Sequence, residues 1–96
     1  MSLKKILSML TKHQPELEKS FDVARIGVFG SYARGEQRKK SDVDVLVDFK
    51  KLPSFFKFLE LEEYLKRILG IKVDLVRKNG IREELLDNIL SETVYL

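Results

Sequence analysis

The sequence predicts a small α/β (α+β) sandwich, a short mixed β-sheet flanked by helices, and three observations predict it. β-rich runs at 23–29, 43–49 and 71–77 alternate with stretches whose apolar residues recur at helical spacing. The 96 residues carry no linker, repeat or low-complexity stretch, so 1–96 reads as a single domain. A Gly-Ser pair closes the first run while aspartates open the second and stand early in the third. For these to meet, the first strand must run antiparallel to the second, and the third parallel to it.

Ser2 is a plausible cap for a helix over 3–13, with Leu3, Ile6, Leu7 and Leu10 on one face. Pro15 opens a second short helix ending near Ser20. Strand 23–29 stops at Gly30-Ser31, and a basic, glycine-containing connection with a short helix leads to strand 43–49. Pro53-Ser54 starts the longest helix, to about Leu69, with Phe58, Leu61, Leu65 and Ile68 on its apolar face and Gly70 ending it. Strand 71–77 follows. After an Asn79-Gly80 turn comes a last helix over 81–91, with Ile81, Leu85, Leu86 and Ile89 expected to face inward. Of the cluster Phe55, Phe56 and Phe58, some is expected in the core and some on a partner-facing surface.

Composition excludes several kinds of chemistry. No Cys rules out disulfides, thiol catalysis and cysteine zinc sites, and a single His rules out a multi-histidine metal site. No apolar run reaches the ~18 residues of a membrane span, so the expected location is cytoplasmic, with no membrane partner. The net charge of +3 is concentrated in 20–41, where Arg25, Arg34, Arg38, Lys39 and Lys40 face only Asp22 and Glu36. This basic segment adjoins the acids Asp42, Asp44 and Asp48.

Those acids are anomalous in a buried strand. The two-residue period puts Asp42, Asp44, Leu46 and Asp48 on one face and the valines on the other. Carboxylates at i and i+2 have Cα atoms roughly 6.5–7 Å apart and can converge on a cation, without which their repulsion would raise one pKa. Asp74 repeats the anomaly on the third strand. If the strands are neighbours, Asp42, Asp44 and Asp74 form an all-oxygen set suited to Mg²⁺ or Mn²⁺. Asp48 reads as an exposed strand-end acid.

Gly30-Ser31 supplies a second element. A strand that breaks at Gly and enters a short helix presents unpaired N–H groups, and Gly lets an anion approach the chain closely. Ser31 adds a hydroxyl and Arg34 a charge, which together make a phosphate cradle in kind. Neither the P-loop nor the dinucleotide fingerprint is present.

Gly30-Ser31, ten residues, then Asp42-x-Asp44 resembles the G-S-x10-D-x-D signature of the DNA polymerase β-like nucleotidyltransferases. The run from Gly30 to Glu36 and from Ser41 to Asp44 is similar to the minimal nucleotidyltransferase (MNT) branch, the antitoxins of HEPN/MNT pairs. Glu92-Thr93-Val94-Tyr95 looks like that branch's usual ending. The resemblance implies a polymerase β palm-like fold and a role for each motif position. Gly30 and Ser31 would hold the β/γ-phosphates of ATP, Asp42 and Asp44 would bind metal, and Asp74 would be the third carboxylate. It also implies transfer of AMP to a tyrosine hydroxyl of a HEPN ribonuclease toxin. Two Mg²⁺ ions held by Asp42, Asp44 and Asp74 suit such a displacement, and Arg34 can neutralise triphosphate charge.

Two rival readings stand beside this one. The acceptor is instead an RNA end or a small molecule, though no aromatic-interleaved surface that grips single strands is evident. Or the chain is a non-catalytic antitoxin that inhibits by binding. On the leading reading the 96 residues are expected to be a catalytic core alone, whose specificity is completed by a partner or a homo-oligomer.

Overall fold

In the computed structural model, which describes all 96 residues, Ser2 accepts a hydrogen bond from the Lys5 N–H and starts helix α1 (Leu3–Lys12). Pro15 lies in the first turn of α2 (Gln14–Phe21), which ends at Asp22 in a left-handed conformation, φ 54°. Strand β1 (Val23–Phe29) leads into a single helical turn, α3 (Ser31–Arg34), then β2 (Val43–Phe49). Helix α4 (Phe55–Leu69) is capped by the Ser54 hydroxyl and terminated by Gly70 at φ 72°. Strand β3 (Val73–Arg77), a 3₁₀ turn (Lys78–Gly80), helix α5 (Glu83–Glu92) and strand β4 (Val94–Tyr95) complete the chain.

The sheet order is β3-β2-β1-β4, with β1 antiparallel to β2 and β4, and β2 parallel to β3. This is the mixed sheet that the placement of Gly30, Asp42 and Asp74 requires. One face is the core. Val43, Val45, Val47, Ile26, Val28, Val73 and Leu75 pack under Ile6, Leu10, Leu17, Phe21, Leu61, Leu65 and Leu69 from α1, α2 and α4. Each fully buried aliphatic side chain there contributes about 1.5–3 kcal/mol of transfer free energy. With the valines of β2 inside, Asp44, Leu46 and Asp48 must face the other way. No helix is long and apolar enough to cross a membrane.

Two expectations need correction, and one element lies outside them. Strand β3 begins at Val73, because Lys72 serves as a lead-in whose carbonyl accepts from the Val43 N–H at 2.9 Å. The inward-facing stripe expected on the last helix is not buried: α5 starts at Glu83, none of its residues is buried, and Leu85 is 47% exposed. Helical periodicity reports an apolar face but not whether the chain itself covers it, and α1, α2 and α4 already fill the core. Strand β4 is too short for any periodic signal, and was not expected.

Candidate functional site

The site lies where the end of β1 meets the beginnings of β2 and β3. In register, Asp44 stands between Phe29 of β1 and Asp74 of β3. The alternation that buries Val43 and Val45 turns Asp44 out of the core, and the same alternation at Val73 and Leu75 turns out Asp74. The topology therefore places the two carboxylates side by side, at the point where the chain leaves β1 through Gly30.

Asp44 is half-buried, whereas Asp42 and Asp74 are exposed. Its pKa is pushed up to about 6, first by loss of water on burial, then by the charges of Asp74 and Asp42 and by a side-chain hydrogen bond with Asp74. Arg34 opposes the rise. Asp44 and Asp74 are thus in direct communication, and Asp42, one residue ahead of β2, acts on Asp44 through its field. The three are not gathered closely enough to encircle an ion as they stand. The donors are all oxygens, and the charges of Asp74 and Asp42 add to burial in raising Asp44, so the set suits a hard divalent cation.

Gly30 is buried and has φ 74° and ψ −149°, a conformation that L side chains rarely adopt. A Cβ there would collide with the Asp44 carboxylate. Tyr32, 4% exposed, roots the turn in the core, and the Arg34 N–H donates to the Gly30 carbonyl at 3.1 Å. Ser31 is half-exposed at the turn's mouth. Arg34 projects from the turn's far end, where its Nε donates to Glu36 at 2.9 Å and its Nη1 to Glu92 at 3.0 Å. These two carboxylates, Glu92 foremost, raise the guanidinium pKa further above its ordinary value.

Glu92 was not among the expected site residues. Its Oε1 also accepts the Gly30 N–H at 3.0 Å, across 62 positions of sequence. No local pattern reports such a contact; the one signal was its place in the Glu92-Thr93-Val94-Tyr95 ending. On the other side of the carboxylates, an open cleft of about 270 Å³ is lined by Lys39, Lys40, Ser41, Asp42, Ile71 and Lys72. The basic connection thus borders the site. A larger groove of about 420 Å³ lies over α2 and α4, lined by Phe21, Phe56 and Tyr64 among others, and contains none of the aspartates.

Residues 10–96 match the family model described as nucleotidyltransferase domain. Over its whole length the chain is 51% identical to the protein adenylyltransferase MntA of Thermococcus cleftensis, spanning 97% of that protein. It superposes with a TM-score of 0.85 on a solved structure assigned as a minimal nucleotidyltransferase, at 32% identity and covering 100% of this chain and 97% of that one. A solved toxin–antitoxin structure with AMP-PNP superposes with a TM-score of 0.72 at 25% identity, over 99% of this chain and 72% of that one.

Proposed function

The chain belongs to the nucleotidyltransferase domain family, and on that premise we propose that it is an Mg²⁺-dependent adenylyltransferase, transferring AMP from ATP to a hydroxyl of a HEPN ribonuclease toxin whose antitoxin it is. The observation that carries the reading is the pairing of Asp44 with Asp74 beside a glycine turn pressed against the Asp44 carboxylate. The activity of the relative in Thermococcus cleftensis and the likeness to a toxin–antitoxin structure with AMP-PNP support ATP as donor and a protein as acceptor.

Asp42, Asp44 and Asp74 would hold the divalent cations, which when bound neutralise charge on the triphosphate and on the attacking oxygen. The Ser31 hydroxyl and the turn around it hold the β/γ-phosphates, and Arg34 offsets their charge. The acceptor hydroxyl enters from the open side, where Asp74 is exposed. Its oxygen bonds to the α-phosphorus while an Asp74 carboxylate oxygen takes its proton. The bond from the α-phosphorus to the α,β-bridging oxygen breaks, and pyrophosphate leaves on the Ser31 side. The three lysines of the cleft beside Asp42 draw in an acidic acceptor surface.

Position-specific labelling tests the reaction. With ATP labelled at the α-phosphate, label becomes covalently fixed to the partner; with ATP labelled at the γ-phosphate, label leaves as pyrophosphate. Transfer of γ-label to the partner identifies a kinase and overturns the reading.

A further inference from the structure

We propose that Glu92 is a positioning residue of this site: it fixes the phosphate-holding turn and aims Arg34 without itself touching the nucleotide. The inference rests on the ATP-binding reading above and adds to it a residue outside the motif. One Glu92 oxygen accepts the Gly30 N–H and the other accepts Arg34 Nη1, each at 3.0 Å. A single carboxylate therefore ties the first residue of the turn to the guanidinium at its end. Because the Gly30 N–H is taken, Gly30 serves the site through its conformation, and the phosphates are left to Ser31 and Arg34.

The mounting of Glu92 is what makes it a brace. It is the last residue of α5, and the next residue, Thr93, closes that helix by donating its hydroxyl to the Ile89 carbonyl at 2.6 Å. Val94 and Tyr95 then pair with Val28 and Gly27 of β1, and the Leu96 N–H donates to the Ile26 carbonyl at 3.1 Å. The Arg25 guanidinium lies 3.8 Å from the centroid of the Tyr95 ring. The strand fits this closely because residue 27 lacks a side chain: a Cβ there would lie 2.8 Å from both the Thr93 methyl and the Val94 carbonyl oxygen. Glu92 is also less exposed than the other Arg34 partner, 31% against 63% for Glu36, so its charge is less screened.

The opposing model makes Glu92 a placeholder that the triphosphate must displace from Arg34. The two models predict opposite signs. Removing a brace weakens Mg-ATP binding, whereas removing a competitor tightens it.

The test is titration calorimetry of Mg-ATP with the full chain, which needs no acceptor protein, on wild type, Glu92→Gln, Arg34→Ala and the double variant. The glutamine keeps an acceptor for the Gly30 N–H but turns a donor toward the guanidinium. The expected result for Glu92→Gln is a Kd weakened about tenfold, the size of one charged hydrogen bond. The double variant is expected to bind no more weakly than Arg34→Ala alone, because Glu92 acts through Arg34. The Arg34 Nε–H resonance, expected to be sharp in wild type, should broaden or shift in Glu92→Gln, a change that general loosening of the fold would not confine to that arginine. Gly27→Ala, which displaces the strand that follows Glu92, should weaken binding in the same sense. Unchanged or tighter binding by Glu92→Gln overturns the brace while leaving the ATP reading intact; failure of wild type to bind Mg-ATP overturns both.

Discussion

The α-carbon of Gly30 abuts the Asp44 carboxylate with no room for a side chain between them. The Gly30 turn and the strand that presents the central carboxylate are therefore one packed unit, and neither can be altered alone. Gly30→Ala adds a methyl group to this contact and also forces an L residue to φ 74°. The expected cost is about 1–3 kcal/mol in stability and a fall of about a hundredfold or more in nucleotidyl transfer. Urea unfolding and turnover on the same preparation check both.

Asp44 also sets a pH dependence. Its carboxyl has a pKa of about 6 in the folded chain against an ordinary 3.8, chiefly through burial and then through Asp74. The folded state thus binds the proton more tightly than the unfolded one, so this group's contribution to stability falls as pH rises through that interval. Without divalent cation, Asp44→Asn should be more stable than wild type at neutral pH. Solvent screening at this partly exposed carboxylate holds the gain to about 1 kcal/mol, or a Tm rise of roughly 4–8 °C. The difference should close as pH falls from about 6 toward 3.8. Thermal melts in chelator across that range read it directly.

Divalent cation should reverse that order. On the proposed reading, added Mg²⁺ would offset the repulsion among Asp42, Asp44 and Asp74, so at neutral pH it should raise the Tm of wild type. Asp44→Asn should respond less, and wild type itself should respond less near pH 4, where protons compete for the same oxygens. Equal Mg²⁺ shifts in the two proteins would place the cation elsewhere.

Phe55 and Phe56 are 71% and 76% exposed, while Phe58 is partly buried against the core. Phe55→Ser and Phe56→Ser should therefore change the unfolding free energy by no more than about 0.5 kcal/mol. Leu65→Ala, at a fully buried position of α4, should cost about 2–5 kcal/mol. Denaturant midpoints of these variants measure the contrast.

Sequence reached the site further than it reached the periphery. Strands 23–29 and 43–49 were legible to the residue because β-rich runs end at Gly30 and begin after a basic connection. Asp44 and Asp74 were legible because ionised side chains in otherwise apolar strands need a reason. What escaped depends on distant parts of the chain. Glu92 meets Gly30 across 62 positions, and β4 is two residues long. The apolar stripe of α5 was correctly periodic, yet the core beneath the sheet is filled by α1, α2 and α4. Arg34 was expected to offset phosphate charge, and its pairing with Glu36 and Glu92 was not legible beside that.

The most direct measurement is AMP transfer to the proposed HEPN partner from α-labelled ATP with Mg²⁺, comparing wild type with Asp42→Asn/Asp44→Asn. The account predicts label on the partner and loss of its ribonuclease activity with wild type, and neither with the variant. Full neutralisation of the partner by the variant, with no label transferred by either protein, would contradict it.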